Sequence, residues 1–277
     1  MVLESAAVQL PILIGVIHLP ALPSSPLASM SLDDIVRRAC AEASVLEDAG
    51  YHAIILENFG DVPFYPTNVP PLIVSCMTAC ACEVRRTVDI PLGINVLRND
   101  PHAALAIAIA SRADFIRVNV HCSARLTDQG MIEGIAHETA RARRALGAER
   151  IAFYCDVDVK HAAPVAPRDI ADEAEELVER ALADVVLVTG AGTGKTVNLG
   201  DLQKVRQRVR APVLAASGVT VATLEQTLSA CDGAIIGSAL RRDGKAGADL
   251  DPDRVVQIAK TFEQIAGQQR DPNRVPE

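Results

Sequence analysis

Eight short apolar segments, each followed by a longer amphipathic one, run through this 277-residue chain and constrain its fold more than any other feature. The apolar segments predict β-strands at 12–17, 52–56, 91–96, 114–120, 151–159, 184–189, 212–217 and 234–237. The amphipathic patterns predict helices at 32–49, 72–87, 103–111, 131–146, 169–182, 201–209, 222–229 and 252–265. Eight strand–helix units predict an α/β fold, a single (β/α)8 TIM-type barrel.

The main alternative is an open, doubly wound parallel sheet. Such sheets usually have fewer strands and carry a Gly-rich phosphate turn after the first one. Here the first strand is followed by H-L-P-A-L-P-S-S-P, from His18, which is not such a turn. No linker divides the chain, so we expect one domain over 1–267 and a polar tail over 268–277.

Composition and charge indicate which classes of partner the protein is not expected to bind. Hydrophobic residues make up 49% of the chain and aromatic ones 3%, which suits parallel strands buried on both faces. The net charge of −8 disfavours binding to nucleic acid, which needs a basic surface. No apolar run approaches the roughly 20 residues that span a bilayer, and Glu4 replaces the basic start of a signal peptide. We therefore expect a cytoplasmic protein without membrane insertion.

Strand alternation divides each strand into residues that face the barrel interior and residues that face the helices. In D-F-I-R-V-N-V, Arg117 and Asn119 are predicted to face inward. In I-A-F-Y-C-D-V-D-V-K, the same holds for Asp156, Asp158 and Lys160. The inward residues at the other strand ends are His18, Glu57, Asn95, Thr189 and Ser217. Buried charges on such strands indicate either a paired ionic layer or an active site at the carboxyl ends.

Two Gly-Ser segments after the seventh and eighth strands resemble a phosphate cradle. The residues Ser217, Gly218, Gly237 and Ser238 stand where barrels often present backbone N–H groups to phosphate, although such turns also occur for local reasons. The segment T-G-A-G-T-G-K-T is not a Walker A motif, because Thr189 occupies the position of its first glycine. We expect instead a Gly-rich loop from which Thr193 reaches a ligand.

Several motifs resemble those of the BtpA family, also called BtpA/SgcQ. They include E-N-F-G-D-V-P-F from Glu57, G-I-N-V-L-R-N-D from Gly93, F-I-R-V-N-V from Phe115, D-Q-G from Asp128, D-V-D-V-K-H from Asp156, S-G-V-T from Ser217 and G-S-A-L from Gly237. The resemblance covers nearly the whole chain and implies a TIM-type barrel. Cyanobacterial members are associated with photosystem I biogenesis, and other members occur beside sugar-metabolism genes, so the resemblance implies a fold rather than a reaction.

Our leading hypothesis is an isomerase, epimerase or lyase that acts by proton transfer on a small phosphorylated, sugar-like metabolite. Lys160 is predicted as general base or Schiff-base nucleophile, with Glu57 or Asp158 as its partner. Asp156 belongs to the same catalytic group. The residues predicted to bind substrate oxygens are Asn95, Arg117, Asn119, Thr189 and Thr193, with His18 and His161 as secondary candidates.

Two further alternatives stay open. One is a divalent metal on Glu57, Asp156 and Asp158, because three carboxylates offer hard oxygen ligands; no other cofactor is predicted. The competing class is a non-catalytic photosystem I biogenesis or regulatory factor that uses the barrel as a binding scaffold, since fold does not dictate function. A homo-oligomer is compatible with either class.

Overall fold

The computed structural model describes residues 10–190 and 197–270 and contains a closed barrel of eight parallel strands. Strands are numbered in chain order, and β5, β6 and β8 belong to a smaller sheet described below. The barrel strands are β1 (Ile12–His18), β2 (Ala53–Glu57), β3 (Leu92–Asn95), β4 (Phe115–Val118), β7 (Ala152–Asp158), β9 (Val185–Val188), β10 (Val213–Ala215) and β11 (Gly233–Ile236). Each strand pairs with its neighbours in this order, and β11 pairs with β1 to close the barrel. The predicted barrel is confirmed.

Helices follow the barrel strands and cover the outside of the barrel. They are α1 (Leu32–Asp48), α2 (Pro71–Thr87), α3 (Pro101–Ser111), α4 (Ala136–Ala145), α5 (Ile170–Glu179), α6 (Leu199–Arg208), α7 (Leu224–Leu228) and α8 (Pro252–Arg270). Helix α8 ends five residues later than predicted, so residues 268–270 are helical rather than part of a tail. Among the described residues, none of the helices is long and apolar enough to cross a membrane.

Two apolar layers hold the barrel together. The larger one lies between strands and helices and includes Ile116 and Val118; the other fills the interior and includes Phe115 and Tyr154, whose rings stack with centroids 4.2 Å apart. Gly93 makes room for this stack, because a Cβ there would lie 2.2 Å from the Phe115 ring. The inside–outside division predicted for β4 is therefore correct, and the inward positions beyond Phe115 lead toward the barrel mouth.

A small antiparallel sheet lies beside the barrel and was not predicted. Its strands are β5 (Ala124–Thr127), β6 (Gly130–Glu133) and β8 (Ala162–Pro164), in the order β6–β5–β8. The predicted helix 131–146 is wrong in its first turn, because the chain forms a hairpin there. Gly130 has φ +97°, and its carbonyl accepts a hydrogen bond from Oγ1 of Thr127. Helix α4 begins only at Ala136.

Candidate functional site

The carboxyl ends of the barrel strands open into a cavity of about 570 Å³. Its polar floor is formed by strand ends and the residue positions just after them: Glu57, Asn95, Arg117, Asn119 and Lys160. An apolar wall is formed by Phe59, Val62, Phe64 and Leu97, which follow β2 and β3. Arg98, Asp128 and His161 complete the lining. A cavity of this size is in the range of small-molecule sites.

Arg117 is the electrostatic centre of the floor. Its guanidinium donates from Nε and Nη2 to the two carboxylate oxygens of Asp156, both at 3.2 Å, and from Nη1 to Oε1 of Glu57 at 3.2 Å. All three side chains are buried. Burial alone would lower the pKa of Arg117, but the charges of Asp156 and Glu57 outweigh it, and the pKa is raised. Arg117 therefore stays protonated and neutralises carboxylates that are costly to bury alone.

Two buried amides connect Asp156 to the cavity. Nδ2 of Asn119 donates to Oδ2 of Asp156 at 2.8 Å, so Oδ1 of Asn119 faces the other way. That oxygen accepts from Nδ2 of Asn95 at 3.0 Å, and the same nitrogen donates to the carbonyl of Arg117 at 3.1 Å. Among the described residues, Oδ1 of Asn95 has no hydrogen-bond partner although Asn95 is only 1% exposed.

Lys160 follows β7 and lines the floor close to Arg117. Its pKa is lowered, chiefly because burial disfavours the charged ammonium and secondly because of the positive charge of Arg117. The carboxylates of Glu57 and Asp156 oppose this shift without cancelling it. Within residues 10–190 and 197–270, no carboxylate forms an ion pair with its ammonium. Its amine is therefore more available as a base or nucleophile than that of a solvent-exposed lysine.

A narrow recess of about 30 Å³ adjoins the cavity and contains the residues predicted to bind phosphate. Ser217, Gly218, Gly237 and Ser238 line it together with His18. The recess and the large cavity share Glu57, Arg117 and Lys160 in their linings. Gly218 has φ +64°, a conformation that favours glycine and turns the chain sharply after β10. The phosphate-binding role itself remains a prediction.

His18 is neutral and positioned by contacts on several sides. Its ring packs on Phe59 with centroids 4.3 Å apart, and its Nδ1 accepts from the backbone N–H of Gly247 at 3.4 Å. Burial, followed by the positive charge of Arg241, lowers its pKa well below 6.5. With Nδ1 accepting, Nε2 carries the proton and lies 3.9 Å from Oε2 of Glu57.

The predicted position of Asp158 at the mouth is wrong. The pairing of β7 with β9 shifts register between Asp156 and Asp158, so strict alternation fails over these residues. The Asp158 side chain is 52% exposed and lies 3.7 Å from Nε of Arg125, whose guanidinium also binds Glu173. Asp158 therefore belongs to an ion-pair group with the small sheet and α5 rather than to the cavity floor.

This displacement also separates the predicted metal ligands, because Glu57 and Asp156 contact Arg117 while Asp158 contacts Arg125. In the described part of the chain, no group of three or more His, Cys, Asp or Glu side chains is placed to hold a metal ion. Thr189 lies beside the same displaced segment, where its Oγ1 donates to the Asp158 carbonyl at 2.6 Å. Thr193 lies outside the described residues.

Sequence periodicity missed the apolar wall and two charged residues of the cavity. Phe59, Phe64 and Arg98 lie in loops, where side-chain direction has no period, and Asp128 lies in the hairpin turn. Arg98 is 5% exposed and donates from Nη2 to the Lys160 carbonyl at 2.6 Å. The available signal was the set of family-like motifs, since E-N-F-G-D-V-P-F, G-I-N-V-L-R-N-D and D-Q-G contain all four.

Solved structures with a similar fold are barrels of diverse function. (S)-3-O-geranylgeranylglyceryl phosphate synthase from Thermoplasma acidophilum, in complex with sn-glycerol-1-phosphate, matches with a TM-score of 0.60 at 16% identity and covers 95% of this chain and 97% of its own. N-(5′-phosphoribosyl)anthranilate isomerase from Pyrococcus furiosus matches with a TM-score of 0.56 at 13% identity, covering 91% and 99%. At such identities, the similarity establishes the fold alone.

Sequence relatives are much more similar. A protein of Thermococcus kodakarensis without an assigned function is 42% identical over 91% of this chain and 96% of its own length. The photosystem I biogenesis protein BtpA of Synechocystis is also 42% identical, over 87% of this chain and 84% of its own. The model of the BtpA family matches residues 10–264. This chain therefore belongs to the BtpA family.

Proposed function

We propose that this protein is an enzyme that acts by proton transfer on a small phosphorylated, sugar-like metabolite in the cytosol, as an isomerase, epimerase or lyase. The observation that carries the proposal is the amine of Lys160. Its pKa is lowered, and it lies where the large cavity meets the predicted phosphate recess. Catalytic bases need a pKa closer to neutrality than that of an ordinary lysine.

The charges around Lys160 suit the formation of an anion. In the proposed step, the neutral amine removes a proton from the carbon beside a substrate carbonyl. The electron pair of the broken C–H bond forms a C=C bond, and the π pair of the carbonyl moves onto its oxygen. Arg98, which forms no ion pair with a carboxylate of the described residues, supplies positive charge near this enolate. Return of the proton to the other face of the same carbon completes an epimerisation. Its return to the former carbonyl carbon, with transfer of the adjacent hydroxyl proton to the enolate oxygen, completes an isomerisation. A Schiff base between Lys160 and the carbonyl is the second route open to the same amine.

The recess supports phosphate as the anchoring group. Gly218, Gly237 and Ser238 follow β10 and β11, the two positions at which barrels commonly bind phosphate. The geranylgeranylglyceryl phosphate synthase and phosphoribosylanthranilate isomerase barrels bear names of phosphorylated compounds, which agrees with this proposal as an analogy of fold. A phosphate there would leave the rest of the ligand beside Lys160.

Proton transfer can be tested without knowing the substrate. The protein is incubated in D₂O with a panel of phosphorylated carbonyl compounds, including dihydroxyacetone phosphate and ribulose 5-phosphate, and deuterium incorporation is followed by NMR. We expect exchange with at least one compound, loss of exchange in Lys160→Met, and normal exchange in the control Lys204→Met, which changes an exposed lysine on α6. No exchange with any compound, or equal exchange in Lys160→Met, would refute the proposal.

Schiff-base chemistry has a separate test. Borohydride reduction during incubation with the same compounds would leave a stable adduct on Lys160, detectable by mass spectrometry. An adduct assigns the covalent route, whereas exchange without an adduct assigns simple base catalysis.

A second candidate function is supported by an exposed apolar surface. Leu126, Met131 and Val165 are 59%, 60% and 67% exposed, and Leu126 pairs directly with Met131 across β5 and β6. Exposed apolar sheet faces often bind other proteins. The name of the Synechocystis relative agrees with a biogenesis or regulatory role. In that case the barrel acts as a scaffold, and the small sheet forms the contact with a partner or a second copy.

A further inference from the structure

The large cavity has two different halves, and a simple sugar phosphate explains only one. Its floor carries Arg117, Asn119 and Lys160, whereas the wall of Phe59, Val62, Phe64 and Leu97 offers no hydrogen-bonding side chain. A hydroxyl-rich ligand would leave its oxygens unpaired against this wall, which is unfavourable. The wall therefore indicates that the ligand carries an apolar group in addition to polar ones.

Hydrogen bonds hold the wall in place from both ends. Asn58 accepts at Oδ1 from the Leu97 N–H at 2.7 Å and donates through Nδ2 to Asp61 at 3.1 Å. Asp61 in turn accepts from the Leu22 N–H at 2.7 Å, and the Arg98 N–H donates to the Tyr65 carbonyl at 2.9 Å. A wall fixed in this way loses little entropy when a ligand binds.

Two aromatic rings in the wall favour a planar partner. The Phe59 ring packs on the His18 ring with centroids 4.3 Å apart, and a Cβ added to Gly247 would lie 3.4 Å from Phe59. Aromatic pairs gain specific stabilisation from stacked or edge-to-face contact. A long prenyl chain fits less well, because Arg98, Asp128 and His161 line the same cavity.

The floor defines a second property of the ligand. Asp156 orients Asn119, and Asn119 together with the Arg117 carbonyl orients the amide nitrogen of Asn95, as described above. The oxygen of Asn95, in a side chain that lines the cavity, has no hydrogen-bond partner among the described residues. Leaving a buried acceptor unpaired is costly, so a ligand that presents a hydroxyl or N–H to this oxygen gains stability.

We propose that the ligand is a phosphorylated metabolite with a planar aromatic ring whose face packs against Phe59, Phe64 and Leu97, and with a sugar-like hydroxyl that donates to Oδ1 of Asn95. The hydroxyl belongs to the part of the ligand between ring and phosphate, because Asn95 lies on the polar floor with Arg117. The inference rests on the proposed function for its phosphate and adds the ring and the hydroxyl to it.

Isothermal titration calorimetry of the full chain tests the ring. The probes are adenosine 5′-monophosphate, ribose 5-phosphate, which lacks the ring, and geranyl phosphate, whose apolar group is not planar. We expect the nucleotide to bind at least tenfold more tightly than either of the others. Phe64→Ser should remove this advantage and leave ribose 5-phosphate unchanged, while the control Tyr65→Ser, at an exposed neighbour outside the cavity lining, should change neither.

The hydroxyl is tested by changing the ligand, because Asn95 also holds Arg117 and Asn119 and its replacement would disturb them. We expect 2′,3′-dideoxyadenosine 5′-monophosphate to bind at least tenfold more weakly than adenosine 5′-monophosphate. Equal affinity of these two nucleotides would overturn the assignment of Asn95.

The outcomes separate this inference from the proposed function. If ribose 5-phosphate binds as tightly as the nucleotide, or geranyl phosphate binds more tightly, the planar ring is refuted while phosphate binding stands. If unphosphorylated adenosine binds as tightly as the nucleotide, the phosphate recognition of the proposed function is refuted, whereas recognition of the ring is supported. Binding by none of the probes would overturn both.

Discussion

Replacing Arg117 or Lys160 by methionine should have opposite consequences for stability and for function. Both side chains are cations on the cavity floor, and methionine retains much of the aliphatic stem in each case. Arg117 contacts Glu57 and Asp156 at 3.2 Å with its side chain only 2% exposed. Lys160 forms no ion pair with any carboxylate in the described part of the chain. The pKa of Lys160 is lowered, so its positive charge does not stabilise the folded protein.

The magnitude follows from the contacts. Arg117→Met leaves two buried carboxylates without compensation, and removing one partner of a buried ion pair costs about 3–5 kcal/mol. For a domain of this size, about 1 kcal/mol corresponds to roughly 2–4 °C in Tm, so the midpoint should fall by about 6–20 °C. Lys160→Met removes no ion pair to a described residue and should change Tm by less than about 4 °C.

Thermal unfolding followed by circular dichroism, with both variants and the wild type in one buffer, measures these differences. The deuterium-exchange assay on the same samples should show that Lys160→Met is stable and inactive. A Tm of Lys160→Met as low as that of Arg117→Met would refute the reasoning, because Lys160 would then be part of the structural ion-pair layer. An unchanged Tm in Arg117→Met would refute the role assigned to Arg117.

Three other predictions concern pH, phosphate and assembly. The pKa of Lys160 is lower in the folded protein than its ordinary 10.5, so between the folded-state pKa and 10.5 the folded protein binds fewer protons than the unfolded chain. The unfolding free energy should therefore rise with pH in that window, and it should rise less in Lys160→Met. Gly218 has φ +64°, so Gly218→Val should displace the turn and weaken the binding of ribose 5-phosphate by at least tenfold, as measured by calorimetry; unchanged binding would place the phosphate elsewhere. Met131→Glu puts a charge on the exposed face of the small sheet without disturbing the core. If this face joins two copies of the protein, light scattering should report a lower mass for the variant than for the wild type. Equal masses would exclude the face as a dimer contact.

The barrel and part of its floor could be predicted because a regular period determines where side chains point. Arg117, Asn119 and Asp156 are on strands β4 and β7 or next to them, and they lie inside as alternation requires. The prediction for Asp158 is wrong for a physical reason, since one irregular pairing in β7 is enough to turn a side chain to the other face. Nothing in D-V-D-V-K marks that irregularity.

The hairpin and the apolar wall could not be predicted for a different reason. The strands of the small sheet have three or four residues each, too few for alternation to be distinguished from one helical turn. Ile132 and Ile135 are spaced as in a helix, and the pattern therefore extended the predicted helix through β6. Phe59 and Phe64 lie in a loop whose shape depends on Asn58 and Asp61 contacts with distant parts of the chain.

The pKa of Lys160 should differ between the free protein and its complex with substrate, and this difference gives a final prediction. In the free protein, burial and Arg117 lower its pKa. A phosphorylated substrate brings negative charge beside the amine, and an opposite charge favours the ammonium, so the pKa of Lys160 should be higher in the complex than in the free protein. The pH profile of kcat/KM reports the free protein and that of kcat the complex. The rising limb of kcat should therefore lie at higher pH than that of kcat/KM. Coincident limbs would mean that the phosphate lies too far from Lys160 to affect it, and the shared lining of cavity and recess would then have no role in catalysis.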